Sequence, residues 1–470
     1  MTATTATAST PTAIPTSVLS FIGATPLVRL TKFDTGPCEL YVKLESHNPG
    51  GSIKDRIALR MIEAAEQSGK LKPGGTIVEA TAGNTGLGLA LIAALKGYKV
   101  VLVVPDKMSR EKVQHCKALG AEIISARSDV VKGDPEYYQD IAERVAQERQ
   151  AFYINQFSNP ANPQTHEDWT APEIWEQMNH DVDAVVCGVG SGGTLTGIGR
   201  YFKKVSPKTK MVLADPVGSI LAPLVNEGKD VTPGSWLVEG IGEDFVPDIL
   251  ELDLTREAFA ISDNESLDTV RDLVQREGIL AGSSSGTLVA AALKYCRAQT
   301  QKKRVVTFIC DRGDKYLSKV FSDPWVREQG FSDAKVTKTV ADMLTRTHAR
   351  GETVFVRKQD TVLTAYKRMR LADVSQLPVI EGNDKIVGLL TEDVLLNALM
   401  AMKEGDSLSK RTVGDVMEKV FISVPLETAT HEAARLLQTH PVLVVTDGDA
   451  FAGVITRIDV LNNLVLQLPR

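Results

Sequence analysis

Cysteine is scarce in this chain, with five in 470 residues (Cys38, Cys116, Cys187, Cys296 and Cys310), no CxxC pair and no clustered histidine beside them. That spacing excludes a zinc ribbon or finger, and no metal site is expected. A chain of this length needs no disulfide framework, so reduced thiols and a cytoplasmic location are expected. Basic charge is not in excess either: 53 Lys and Arg stand against 59 Asp and Glu, a net charge of -6. Such a balance gives nothing to neutralise a phosphate backbone, and nucleic acid is not an expected partner. Long apolar runs are missing, since no window reaches the roughly 18 residues of a membrane helix. The first 20 residues, MTATTATASTPTAIPTSVLS, hold no Lys, no Arg and no apolar block. They read as a flexible tail rather than a secretory signal.

What is present is ordinary globular composition, 43% hydrophobic and 24% charged, in a chain long enough for two or three domains. From about residue 21 to 330, short β-branched runs alternate with helical patterns. The runs are TIVEA (76–80), VVLVVP (100–105), AVVCGVG (184–190), MVLADP (211–216) and VVTFICD (305–311). Between them, Ile53, Ile57, Met61 and Ala64/Ala65 recur at helical spacing. Continuous apolar strands separated by helices predict an α/β fold with parallel sheets covered on both faces. Ligands in such folds sit beyond the carboxyl ends of the strands. A polar stretch near 322–338 breaks the pattern, and the chain then repeats itself. TVADM (339–343) answers TVGDV (412–416), and VGLLTEDVLLNAL (387–399) answers AGVITRIDVLNNLV (452–465). Each copy reads as helix, strand, helix, two strands and closing helix, a duplicated unit that packs against its twin.

Four segments of the first part carry polar groups suited to chemistry. In NPGGSIKDR (48–56) two glycines permit a tight bend, and a helix starting near Ile53 fixes Lys54 on its first turn. A desolvated lysine loses its proton more readily and can then attack an aldehyde. TAGNTGLGLAL (81–91) follows a strand and opens a helix, so Gly83, Asn84 and Thr85 lie where a carboxylate is stabilised. A capped strand-to-helix turn explains that segment equally well. GVGSGGTLTG (188–197) places four glycines in six residues, a nest suited to phosphate, without the GKS or GKT step of a nucleotide loop. Asp215 follows at the distance of a dinucleotide-binding acid, which leaves a nicotinamide oxidoreductase as the least favoured alternative. AGSSSGT (281–287) puts three hydroxyls before a helix, where Ser284 either caps it or faces a ligand.

In order and content the four segments match one family. From FIGATPLVRL (21–30) to Phe331 the chain resembles the cystathionine β-synthase and cysteine synthase group of fold-type II pyridoxal-phosphate enzymes, with further matches at VEGIGEDFVP (238–247) and CDRGDKYLSKVFSDPW (310–325). The repeated tail resembles a pair of CBS domains (a Bateman module). The resemblance implies a pyridoxal-phosphate-dependent catalytic domain with parallel-sheet subdomains over 21–331, after the tail at 1–20. A linker over 332–338 and an α+β CBS-domain pair at 339–400 and 409–468 follow. It implies that Lys54 carries pyridoxal 5'-phosphate, that Asn84 bonds its phenolic oxygen, and that Gly190, Ser191, Gly192, Gly193 and Thr194 cradle its phosphate. Ser284 then faces the ring nitrogen, and Thr81, Thr85 and Gln156 meet the substrate carboxylate.

The activity so implied is β-replacement, joining L-serine and L-homocysteine into L-cystathionine and water, with hydrogen sulfide release from cysteine as a side activity. Cysteine synthesis from O-acetylserine and sulfide is the alternative, and a non-catalytic adenosine-ligand sensor is an alternative of another class. The sequence departs from the family pattern at Ala82, where serine is usual, and at Phe157, where animal cystathionine β-synthases have tyrosine. The haem-binding residues of those enzymes are also missing from the N-terminal tail. In the second repeat Thr456 and Asp459 fit the pattern that holds a ribose, so an adenosine-containing effector is an implied partner. In the first, Asp393 follows Thr391 by two residues instead of three. A homodimer or larger homo-oligomer is implied as well.

Overall fold

The computed structural model describes residues 14–81, 83–106, 108–130, 132–331, 338–382, 384–401, 407 and 410–466. Most of the expected tail (1–13), Ala82 and most of the expected linker (332–337) lie outside the described residues. The chain divides into two compact units, Met1–Phe321 and Ser322–Arg470.

The first unit holds two sheets. One has six strands in the order β1 (Leu27–Arg29), β2 (Glu39–Leu44), β10 (Arg304–Ile309), β7 (Ala184–Gly188), β8 (Lys210–Pro216) and β9 (Thr255–Ile261). Only β1 runs antiparallel. The other has four parallel strands in the order β5 (Glu122–Ala126), β4 (Lys99–Pro105), β3 (Thr76–Ala80) and β6 (Phe152–Tyr153). Each of the five β-branched runs is a strand here. Their near-complete burial is what a parallel sheet covered on both faces demands.

Alternation along β3 sorts the core into two layers. Ile77 packs with Leu102 of β4 against helices α1 (Lys54–Gln67) and α2 (Asn84–Lys96), through Ile57, Met61, Ile62, Leu87, Leu89 and Ile92. Val78 and Ala80 face the other way, toward Ile141 and Val145 of the helix Tyr138–Glu148. Two further helices matter to the site: α3 (Gly193–Val205) after β7, and α4 (Ser283–Arg297) before β10.

The second unit bears the expected duplication. β11 (Gln376–Glu381) pairs antiparallel with β12 (Lys385–Thr391), and β14 (Val442–Asp447) with β15 (Ala450–Thr456). The register slips at Val379/Ile380 in one hairpin and at Val445/Thr446 in the other, the same place in each copy. The strand expected near the start of each copy is β13 (Ser423–Pro425) in the second, but in the first it shrinks to an isolated bridge from Val356 to Val379. The copies also exchange their opening segments. Val340 and Met343 of the first bury among Val424, Leu437 and Ile455 of the second, while Val413 and Met417 bury among Val362, Leu377 and Leu390 of the first. The polar stretch after Phe321 begins with a helix, Asp323–Glu328, whose Arg327 guanidinium bonds Thr345 O and Glu352.

Candidate active site

The four segments singled out in the sequence all leave the carboxyl ends of parallel strands or pack beside them. After β2 a tight turn runs into α1, and it is stitched to the loop that leaves β10. Ile53 N donates to Cys310 O at 2.9 Å, and Arg312 N to Gly51 O at 3.1 Å. Gly282 N donates to Asp311 O at 3.1 Å, which brings the start of α4 to the same loop. Lys54 therefore stands on the first turn of α1 between the end of β10 and the start of α4.

The Lys54 side chain is only partly shielded from solvent, and no hydrogen bond or ion pair engages its ammonium group among the described residues. Desolvation lowers its pKa, although Cys310, Asp311 and Glu45 oppose that shift. Asn84 starts α2 after the β3 loop. Its Nδ2 donates to Asp311 Oδ2 at 2.8 Å, and its Oδ1 accepts from Lys315 Nζ at 3.0 Å. Tyr316 OH also donates to Asp311 Oδ2, at 2.7 Å. Ser283 and Ser285 are tied to backbone amides, accepting from Glu239 N at 3.2 Å and Cys310 N at 3.0 Å. Ser284, between them, reaches the Cys310 thiol, whose pKa burial pushes up to about 12.

The loop after β7 is the candidate anion site. Among the described residues, no backbone N–H from Gly190 to Thr194 donates to a protein acceptor. Free amides at the start of a helix as long as α3 form a cradle for an anion. A side chain at Gly193 is excluded, since a Cβ there would lie 2.0 Å from Asn162 Oδ1, and one at Gly190 would lie 2.6 Å from Gly240 O.

Asn162 and His166 support this loop and escaped the sequence reading. Asn162 Nδ2 donates to Ser191 Oγ and to Gln156 O, both at 2.9 Å. His166 is buried, with Nε2 at 3.2 Å from Thr194 Oγ1 and Nδ1 at 2.9 Å from Thr170 Oγ1. Burial, then Lys54 and Arg56, keep its pKa well below the ordinary value, so the imidazole is neutral. No motif spacing pointed to either residue. The hint available was NPANPQTH (159–166), a Pro- and Asn-rich run inside a helical region.

Thr81, Thr85 and Gln156 form a buried polar group on the other side. Thr85 Oγ1 donates to Gln156 Oε1 at 2.7 Å, Gln156 Nε2 lies 3.4 Å from Ala80 O, and Thr81 Oγ1 accepts from Gly83 N at 3.1 Å. The structure thus gathers Lys54, Asn84, the 190–194 loop, Ser284 and the Thr81–Thr85–Gln156 group at the carboxyl ends of the two sheets of one unit. Thr456 and Asp459 belong to the other unit. Asp459 Oδ2 accepts from Thr456 N at 2.7 Å and from Thr456 Oγ1 at 2.8 Å. Thr391 of the first repeat instead accepts from Val394 N at 3.3 Å, as a plain helix cap.

A desolvated amine free of partners, a cradle of free amides and a buried hydroxyl fit an aldehyde cofactor that carries a phosphate. Comparison with known proteins agrees. Residues 18–311 match the family model described as pyridoxal-phosphate dependent enzyme. Residues 340–401 and 413–466 match the CBS domain. Cystathionine β-synthase of Dictyostelium discoideum is 37% identical over 462 residues, 96% of this chain and 92% of that protein. The Apis mellifera protein of the same name is 36% identical over 464 residues, 96% and 91% of the two chains. Among solved structures, a hydrogen sulfide-producing enzyme of Fusobacterium nucleatum is 37% identical with a TM-score of 0.61, covering 65% of this chain and 100% of its own. The fold is that of a fold-type II pyridoxal-phosphate-dependent enzyme with a CBS-domain pair. The chain belongs to the cystathionine β-synthase family, whose reaction is β-replacement in transsulfuration. No described helix is long and apolar enough to cross a membrane.

Proposed function

We propose that the chain condenses L-serine with L-homocysteine to give L-cystathionine and water. Lys54 is the residue that holds the cofactor, Asn84 and Ser284 bond its ring, and the amides of Gly190, Ser191, Gly192, Gly193 and Thr194 hold its phosphate. When bound, pyridoxal phosphate supplies the aldehyde that takes up the amino acid and the ring that draws electrons from Cα. A neutral serine at the ring nitrogen moderates that pull, which suits elimination and replacement at Cβ. The chain's own groups do the rest. Thr81, Thr85 and Gln156 bind the serine carboxylate and orient Cα toward Lys54. Lys54 Nζ removes the Cα proton and delivers a proton to the hydroxyl that leaves Cβ as water. The homocysteine thiol gives its proton to Lys54 as its sulfur bonds to Cβ, and Lys54 Nζ returns that proton to Cα.

The observation that carries this reading is the half-buried Lys54 amine, its pKa lowered by desolvation and its nitrogen engaged by no hydrogen bond or ion pair among the described residues. Near-full-length similarity to cystathionine β-synthases supports the choice of substrates. The second reading is cysteine synthesis from O-acetylserine and sulfide, which Phe157 favours. Its ring is buried against Phe245, with centroids 5.5 Å apart, and brings no hydroxyl to the site. Incubation with serine plus homocysteine, and separately with O-acetylserine plus sulfide, decides between them by product mass. Dominant cystathionine supports the first; dominant cysteine with little cystathionine replaces it with the second.

For the CBS-domain pair we propose an adenosine-containing effector at Thr456 and Asp459. The carboxylate is positioned at a helix start and half-buried, as a ribose partner requires. The whole chain acts as a homodimer or larger homo-oligomer in this reading.

A further inference from the structure

Beneath Gln156 lies a carboxyl group that the mechanism above does not use. Glu79, the fourth residue of β3, is wholly buried on the sheet face that α1 and α2 cover, two residues before Thr81. One oxygen accepts from Gln156 N at 3.4 Å, and the Asn155 amide and the Gln156 side chain also bond the carboxyl. The other oxygen, Oε2, has no partner among the described residues. The turn it holds is under constraint, because Asn155 sits at φ +48° in the left-handed region.

Beyond those amides, the surroundings give an ionised Glu79 little compensation. No cation pairs with it among the described residues. Across the strand pair on one side stands Leu102 of β4, and the facing core of α1 and α2 is apolar. The titratable neighbour from β6 is Tyr153, and beyond it the helix Tyr138–Glu148 brings Asp140 and Glu143, both acidic. Burial accordingly pushes the Glu79 carboxyl up to about 8, against the lowering pull of the Gln156 and Asn155 amides.

We propose that protonated Glu79 is the positioning residue that keeps Gln156 available to the substrate carboxylate, and that its ionisation closes that subsite. Two effects act together. A charged carboxylate forms a stronger bond to the Gln156 side-chain amide than a neutral one does, drawing it away from the substrate. It also sets a negative charge in a medium of low dielectric under a site built for a carboxylate.

This inference rests on the assignment of Thr81, Thr85 and Gln156 to the substrate carboxylate, and the test separates the two. KM for serine and kcat are measured from pH 7 to pH 9 for wild type, Glu79→Gln, Glu79→Asp and Gln156→Ala, all as holoenzymes. The amine of serine titrates alike in every case, so differences between profiles isolate the side chains. The ratio of KM at pH 9 to KM at pH 7 is expected to be about tenfold smaller in Glu79→Gln than in wild type. Glu79→Asp keeps a titrating carboxyl and the alkaline rise. A Glu79→Gln profile parallel to wild type overturns the proposal, as does a flat profile in Glu79→Asp should Glu79→Gln fail to fold. If Gln156→Ala leaves KM at pH 7 unchanged, the carboxylate assignment itself fails, and the proposal with it.

Discussion

Arg56 holds Glu45 through two contacts, Nε to Oε2 and Nη2 to Oε1, each 2.8 Å long, with both side chains shut off from water. Burial alone would raise the Glu45 pKa, but Arg56 outweighs it and keeps the group ionised below its ordinary range. Asn48 Nδ2 joins the pair, donating to Glu45 Oε2 at 2.8 Å and to Ser52 O at 3.1 Å. The ion pair thus braces the turn that delivers Lys54. Glu45→Ala takes the wholly buried acid from this guanidinium and leaves Glu173 as the acid paired with it among the described residues. We expect a loss of about 3–5 kcal/mol, read from the urea midpoint of the transition that includes this unit. A midpoint equal to wild type would remove the pair from the stabilising core.

In the proposed mechanism Lys54→Ala removes the group that moves the Cα proton. General acid–base groups contribute roughly 10²–10⁴ in rate, so kcat is expected to fall by at least about a hundredfold with cofactor bound to the variant. Near-normal turnover by that variant in saturating cofactor would sink the assignment.

Three buried carboxyls make stability fall as pH rises above acid values. Burial pushes Asp215 up to about 6, Asp55 to about 7 and Glu79 to about 8. For an acid whose folded pKa is raised, the contribution is fully present below the unfolded pKa and is lost as pH climbs to the folded one. Glu45, Glu173 and Glu239, held low by cationic partners against their burial, act in the opposite sense and fail as pH drops below the ordinary carboxylate range. The thermal midpoint is therefore expected to peak in mildly acidic buffer and decline toward pH 8. Asp215→Asn, in a strand away from Lys54, should lessen the decline between about pH 4 and pH 6. An identical decline in the variant would contradict the assignment.

Much of this was legible in the residues because it depends on local pattern. Strands buried on both faces must be apolar throughout, so TIVEA and AVVCG announced themselves, and glycines crowd where backbone must approach backbone or an anion. The short edge strands β1 and β6 gave no such signal, since an edge tolerates polar residues and few pairing contacts. Asn162 and His166 stayed hidden for another reason. Their roles arise from a helix packing beside the glycine loop, which no spacing in the chain reveals. The exchanged opening segments of the two CBS copies were likewise invisible, because either copy's apolar residues fit either core.

The pair of Thr456 and Asp459 invites a binding test on the second unit. The same threonine-to-aspartate bonding caps the short helices at Thr339 and Thr412, so the motif by itself serves helix ends. Asp459 differs in its setting. Burial raises its pKa, and the charges of Arg346 and Glu328 reach it. Asp415, the acid of the Thr412 box, is shifted down by its threonine instead. A ribose that donates two hydroxyls to Asp459 would replace the Thr456 contacts at little cost. A ligand at a hundredfold excess over its Kd stabilises the folded unit by about 2.7 kcal/mol. Titration with S-adenosylmethionine and with adenine nucleotides, followed by differential scanning calorimetry, should therefore raise one thermal transition of wild type by several degrees and leave that of Asp459→Ala in place. Equal shifts in both proteins would move the binding site elsewhere. No shift with any of these ligands would leave Asp459 as a helix cap and the CBS-domain pair without an adenosine effector.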